Sequence, residues 1–180
     1  MKDSRKIISQ LSLPYLGTPP EVIPEIFKVL VESFNLLLGS SQKFIDLGSG
    51  NGRIVIYSAI NYRIKSVGIE INESLIKEAK QCVKKLKRTK RIRRKYFKFL
   101  NIRQEDLFQQ NLQKYDFIYI YSLPTMQKSL HHVIETAKSH AIIISFAYEL
   151  KGFEKLLKFE YCLESKHNNK IWKTHFYKKL

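Results

Sequence analysis

The stretch Phe44-Ile45-Asp46-Leu47-Gly48-Ser49-Gly50-Asn51-Gly52-Arg53 decides the fold. Lys43 to Leu47 reads as a short apolar strand, and Gly52 to Asn61 as a helix, so the glycines fall in the turn between them. Glycine turns sharply and lets a ligand approach the backbone without a Cβ in the way. The spacing is Gly-x-Gly-x-Gly. A dinucleotide fingerprint puts its third glycine one place later, where a pyrophosphate can reach the helix N-terminus. Asp46 adds a carboxylate at the start of the loop, which suits an ammonium better than a phosphate. The ligand implied is a nucleoside with a cationic tail.

Outward from this loop, short apolar strands alternate with amphipathic segments. Strands are expected at Ser66–Glu70, Phe97–Arg103, Phe117–Tyr121 and Ala141–Phe146, with helices over Ser74–Arg88 and Thr125–Lys138. Phe159–Glu164 and Ile171–Lys178, separated by Lys166-His167-Asn168-Asn169, read as a terminal hairpin. Upstream, Thr18-Pro19-Pro20-Glu21 resembles a capped helix start, and an apolar stripe from Ile23 runs to Leu37 and ends at Gly39. Pro24 either kinks the first turn of that helix or is its true start. Alternation of this kind predicts an α/β fold, a mostly parallel sheet with helices on both faces and an antiparallel member from the hairpin. Ligands on such sheets bind at the carboxyl ends of the strands.

Two further acids sit at such ends. Glu70 closes the second strand, where a carboxylate can accept both hydroxyls of a ribose. Asp106 follows the third strand and could accept an adenine amino group, with the Leu107 N–H meeting the ring and Phe108 forming a wall. Each acid alone is more often a helix cap or a surface carboxylate. Asp46, the three glycines, Glu70 and Asp106 together fit one ligand, S-adenosylmethionine. Methyl transfer from a sulfonium is an in-line displacement that requires alignment and exclusion of water. Tyr121 and Ser122, at the carboxyl end of the fourth strand, are placed to line the channel for the nucleophile. The alternative for Tyr121 is packing beneath a helix. Core packing is the expectation for Phe146, and Tyr148 is a weaker channel candidate.

Asp46-Leu47-Gly48-Ser49-Gly50-Asn51-Gly52-Arg53 with Gly68-Ile69-Glu70-Ile71-Asn72 resembles motifs I and II of the class I, seven-stranded methyltransferases. The chain is most similar to the archaeal protein-lysine methyltransferases and their mitochondrial relatives that act on ATP synthase subunit c and the adenine nucleotide translocase. That likeness includes Pro14-Tyr15-Leu16-Gly17-Thr18-Pro19, Asp106-Leu107-Phe108, Tyr119-Ile120-Tyr121-Ser122-Leu123-Pro124 and Ser145 to Phe153, and so covers residues 13 to 178 in order. Gly17, Pro24 and the basic stretch before the third strand depart from the family. The resemblance implies a Rossmann-like sheet of order 3-2-1-4-5-7-6 with a C-terminal antiparallel hairpin. It also implies S-adenosylmethionine held by Tyr15, Thr18, Asp46, Gly48, Ser49, Gly50, Gly52, Glu70, Ile71, Asp106, Leu107 and Tyr121, with S-adenosylhomocysteine as product and a protein lysine as methyl acceptor. Tyr15 and Thr18 would close over the methionine end. Nucleobase and glutamine amino-methylases usually carry Asn/Asp-Pro-Pro-Tyr/Phe where this chain reads Tyr121-Ser122-Leu123-Pro124, so a slim flexible amine suits the site better than a planar one.

The 180 residues carry 32 Lys+Arg against 16 Asp+Glu, a net charge of +16, with an ordinary 44% of hydrophobic residues. Repeats, low-complexity tracts and linkers are missing, so one domain over 13–180 behind a flexible 1–12 segment is expected. No apolar run approaches the ~20 residues of a membrane span. The mixed start argues against a secretory signal and for a cytoplasmic chain. Cys82 and Cys162 are too few for a disulfide framework, and no Cys/His cluster has metal spacing, so no metal is expected. A monomer is expected. Lys84 to Lys98 packs ten basic residues into fifteen. It reads either as a solvated helix end or as a surface for nucleic acid or another polyanion, which keeps RNA methylation as the alternative function.

Overall fold

A computed structural model describes residues 17–89 and 92–180. The expectations for residues 1–12 and for Tyr15 lie outside the described residues. After helix α1 (Val22–Phe34) the chain runs β1 (Lys43–Leu47), α2 (Arg53–Tyr57), β2 (Lys65–Glu70), α3 (Glu73–Arg88), β3 (Leu100–Gln104), β4 (Phe117–Ile120), α4 (Pro124–Gln127), α5 (His131–Glu135), β5 (Ile142–Phe146), β6 (Leu157–His167) and β7 (Lys170–Lys179). The seven strands form one sheet in the order β3-β2-β1-β4-β5-β7-β6. The first five are parallel, while β7 runs antiparallel to both β5 and β6. This is the expected Rossmann-like methyltransferase sheet with its terminal hairpin.

The pleat sends alternate side chains to opposite faces and builds two cores. Ile45, Leu47, Ile118, Ile120 and Ile143 pack against Leu130, Val133 and Ile134 on one face. Phe44, Phe117, Tyr119, Ile144 and Phe146 pack against α1 on the other. Phe27 anchors α1 there, fully buried, its ring 5.1 Å from Tyr62, 5.2 Å from Tyr57 and 5.5 Å from Phe44. Truncating such a residue to alanine typically costs about 3–5 kcal/mol. β4 and β5 are buried at every position, as strands covered on both faces should be.

Several local expectations are corrected. α1 begins at Val22 without a side-chain cap, because the Thr18 hydroxyl is engaged elsewhere. Pro24 lies in its first turn, where a missing N–H costs nothing. The helix stops at Asn35, in the left-handed conformation, so Leu37 lies beyond it and is 60% exposed. The Gly52–Asn61 helix divides into α2 and a π-helical turn over Ser58–Tyr62. Arg94–Phe99 is 3₁₀-helical, and the strand starts only at Leu100. That turn still buries Phe97. The Thr125–Lys138 helix is broken into α4, a 3₁₀ turn over Lys128–Leu130, and α5. The hairpin is longer than expected and closes through Asn168-Asn169, both at positive φ as a two-residue hairpin turn requires.

Candidate active site

The glycine loop is stitched to the end of β2. The N–H groups of Gly48 and Ser49 both donate to the Ile69 carbonyl, at 2.9 and 2.8 Å, and Gly52 N–H donates to Ser49. The Gly50 N–H donates to Glu70 Oε2 at 2.8 Å. Gly48, Gly50 and Gly52 stand at φ of 84°, 52° and 80°, the region where only glycine is unstrained. With these four donors spent inside the fold, the loop has little left to cradle a phosphate, in line with the spacing argument. Gly68 lies opposite Asp46, and a Cβ there would come within 2.7 Å of Ser49 Oγ, so β2 must be bare at this position.

Glu70 is mostly buried, and its Oε1 accepts the N–H groups of Ile71 and Asn72, each at 2.9 Å. A carboxylate has about four acceptor positions. Three are used to fix the loop and the start of α3, which leaves one, on Oε2, open. Ile71 follows it as an exposed apolar side chain. Asp106 caps a 3₁₀ turn, its Oδ1 accepting the Phe108 N–H at 2.8 Å. Leu107 rests over the loop, 3.6 Å from where a Cβ on Gly48 would be.

Asp46, 3% exposed, pairs in register with Gly68 on one side and Tyr119 on the other. Burial first, and then the neighbouring Glu70 charge, push its carboxyl well above the usual range. No cation pairs with it among the described residues. The Thr18 and Tyr119 hydroxyls share a buried 2.6 Å hydrogen bond that ties the segment before α1 to β4. Burial, chiefly, raises the Tyr119 phenol well above its ordinary value. Thr18, Asp46, Ser49, Asn51, Arg53 and Tyr121 line one cleft at these strand ends.

Tyr121 therefore joins Thr18, Asp46, Gly48 and Ser49, whereas Ser122 is buried outside that lining with a hydroxyl that has no partner. Gly50 and Gly52 belong to the loop and Glu70, Ile71, Asp106 and Leu107 stand around it, outside the lining of this cleft. Sequence reasoning missed Asn51, Arg53 and Tyr119 as lining groups, although all three stand within the motifs quoted. It also missed Trp172. The Tyr121 ring meets Phe146 edge-on at 4.8 Å, and Phe146 stacks on Trp172 at 5.5 Å, so an aromatic wall runs from the cleft toward the hairpin. The loop beyond β5 folds back beside this wall. Ala147 takes φ 66° with its N–H on the Lys173 carbonyl, and Ser145 Oγ donates to the Tyr148 carbonyl at 2.6 Å.

S-adenosylmethionine fits these residues. The Ser49 hydroxyl and the Asn51 Oδ1 are buried without partners, and Asp46 is a buried carboxyl without a counter-ion, so polar atoms and a positive charge are wanted at this place. Sheet order, turn and flanking carboxylates define the class I S-adenosylmethionine-dependent methyltransferases, and the chain is an enzyme of that class. A family model described as the ANTKMT methyltransferase domain matches residues 46–156, more than half of the sequence, and the chain belongs to that family. It is 25% identical over 143 residues to a protein of Saccharolobus islandicus (strain REY15A) described as a protein-lysine N-methyltransferase, covering 78% of this chain and 80% of the relative. Among solved structures, an RNA methyltransferase from Salinibacter ruber bound to S-adenosyl-L-homocysteine superposes with a TM-score of 0.71 at 21% identity, covering 91% of this chain and 93% of that one. Magnesium protoporphyrin IX methyltransferase from Synechocystis PCC 6803 with bound S-adenosylmethionine gives 0.66 at 16%, over 89% and 79%. These two likenesses carry the fold.

Proposed function

We propose that the enzyme methylates the ε-amino group of lysine in a protein. The observation that carries the reading is the aromatic wall of Tyr121, Phe146 and Trp172 leading into the cleft that holds Asp46. Kinship with the Saccharolobus protein-lysine N-methyltransferase supports it. When bound, S-adenosylmethionine supplies a methyl group activated on a sulfonium. Asp46 would face its ammonium, Arg53 its carboxylate, and Glu70 a ribose hydroxyl, with Ser49 and Asn51 gaining the partners they lack.

The remaining work falls to the chain. A lysine ammonium, with an ordinary pKa of ~10.4, has no lone pair and must lose a proton before it can attack. An apolar, aromatic channel favours the neutral amine by desolvation. Those same rings attract positive charge at their faces. Tyr121 and Phe146 thus orient the side chain and keep water out, and the Ser122 hydroxyl is a buried group beside the same strand end that still lacks a partner.

The test is to incubate the protein with isotopically labelled S-adenosylmethionine and a cell lysate, then digest and sequence labelled peptides by mass spectrometry. Mass added at lysine is the expected result. Label confined to nuclease-sensitive material would overturn the reading and favour an RNA substrate.

A further inference from the structure

Between Ala79 and Gln104 there are twelve Lys and Arg and no acid, so this one segment carries three-quarters of the net charge of +16. The fold places the described residues of this segment at a single edge of the sheet, where β3 has β2 on one side and no described strand on the other. There a groove of about 350 Å³ lies between α3 and β3. Lys80, Lys84 and Lys87 form one wall, and Leu100, Asn101 and Ile102 the other. At helical spacing the three lysines share a face and span about 10 Å along the axis.

Lys28, Lys77, Lys138, Lys158 and Lys173 each reach a carboxylate within 4 Å. Among the described residues Lys80, Lys84 and Lys87 reach none, as is also true of Lys65, Lys114, Lys166 and Lys170. What sets the three apart is their place together on one concave wall, in a segment without a single acid from Ala79 to Gln104. We propose that this groove binds the phosphodiester backbone of nucleic acid, as a site apart from the methyl-transfer cleft. The groove is concave, which suits a chain and not a planar bilayer. The nearby rings are covered, Tyr96 by Arg63 at 4.5 Å, Phe97 by Lys87 at 5.3 Å and Phe99 by Lys98 at 5.1 Å. They offer neither a wedge for lipid nor a face for a base, so contact is with phosphates and does not read sequence. Arg88, Arg93 and Arg94, exposed on either side, add planar forks that match phosphate oxygens. The groove occupies the amino end of β3, whereas the cleft lies at the carboxyl ends of the strands, so occupation of one leaves the other open.

Fluorescence anisotropy with a single-stranded RNA and with a DNA duplex, over a series of salt concentrations, tests this on the full chain. Wild-type protein is expected to bind with affinity that falls steeply as salt rises. The triple variant Lys80→Glu, Lys84→Glu, Lys87→Glu should weaken RNA binding at least ten-fold and flatten the slope of log K against log salt by about 2, at ~0.7 per phosphate contact. It should keep calorimetric affinity for S-adenosylmethionine, which reports an intact fold. A matched variant on the opposite edge, Lys158→Glu, Lys166→Glu, Lys170→Glu, carries the same net charge and should retain wild-type binding. The RNA and duplex arms decide which nucleic acid is preferred. Equal loss in both variants would overturn the proposal, since bulk charge would then be the cause. So would tighter binding to poly-glutamate or to anionic vesicles than to either nucleic acid.

Discussion

Replacing Glu70 by Gln changes one atom and no volume, yet it should loosen the whole turn between β1 and α2. Glu70 Oε2 takes the Gly50 N–H while Oε1 takes those of Ile71 and Asn72. A glutamine has a single acceptor oxygen. If that oxygen keeps the Ile71 and Asn72 pair, its NH₂ confronts the buried Gly50 N–H, donor against donor. A hydrogen bond to a charged group is worth about 1.5–3 kcal/mol, and the two surviving bonds weaken as they become neutral. Exposure of Ile71 and Asn72 lets water make good part of that weakening, so the sum is about 2–3 kcal/mol. For a domain of this size each kcal/mol moves the melting temperature by about 2–4 °C, which gives a fall of about 4–12 °C. Urea unfolding at pH 7 should show a lower midpoint at unchanged slope, and calorimetry well below the transition should show weakened binding of S-adenosylmethionine. Melting within about 1 °C of wild type would refute the reasoning, because the loop could not then depend on this carboxylate.

Asp46→Asn should separate stability from binding. Burial and then the Glu70 charge raise the Asp46 carboxyl in the folded state, so its contribution to stability is full below the ordinary aspartate range and lost as pH rises through the raised value. The variant is therefore expected to unfold at higher urea than wild type at neutral pH, a margin that vanishes in acid, while titration with S-adenosylmethionine yields no heat. Glu25→Ala should release α1 from the hairpin. Burial opposes the ionised form of Glu25, but the bonds from Ser165 Oγ and His167 Nε2, with the charge of His167, hold its pKa below the ordinary value. Its contribution, about 1 kcal/mol, is present at neutral pH and lost as pH falls through the lowered value, so wild type and variant should melt together in strong acid. Trp172→Ala removes a stack worth about 0.5–1.5 kcal/mol, and kcat/KM for a lysine peptide should fall about three- to ten-fold with cofactor affinity unchanged.

What the sequence exposed is what local spacing determines. Three glycines behind an apolar strand could hardly form anything but a turn, and AIIISF at 141–146 has no polar face to offer water. Contacts made across the sheet were hidden. Thr18 looks like a helix cap because its neighbours are Pro19, Pro20 and Glu21, but its hydroxyl partner is Tyr119, 101 positions away. The wall of Tyr121, Phe146 and Trp172 exists only because β7 returns antiparallel to β5, a pairing no single segment encodes. Phe97 and Phe99 alternate with Lys98 as a strand would, yet they and the cations just before them stay in a 3₁₀ turn, and pairing with β2 starts only at Leu100. Glu70 was legible as an acid at a strand end. Its commitment to three backbone donors was not, since those donors come into reach only when the loop closes.

A net charge of +16 would at first seem to oppose a cationic substrate, and the fold removes the conflict by distance. The basic groove lies at β3, and the aromatic wall starts at β4 and leads through β5 toward β7, the other way along the sheet. In the order β3-β2-β1, two steps of about 4.8 Å put roughly 10 Å between the groove strand and the strand that carries Asp46, and the groove sits at the amino end of β3 while the cleft lies at the carboxyl ends. At physiological salt, charges farther apart than about 8 Å are largely screened through water. On the proposed reading an incoming lysine would be governed by the three aromatic rings beside it, with Asp46 facing the cofactor, while a polyanion at the β3 edge would meet the lysines alone. Segregation of this kind would let one small sheet carry both the proposed lysine channel and the proposed polyanion groove without either weakening the other.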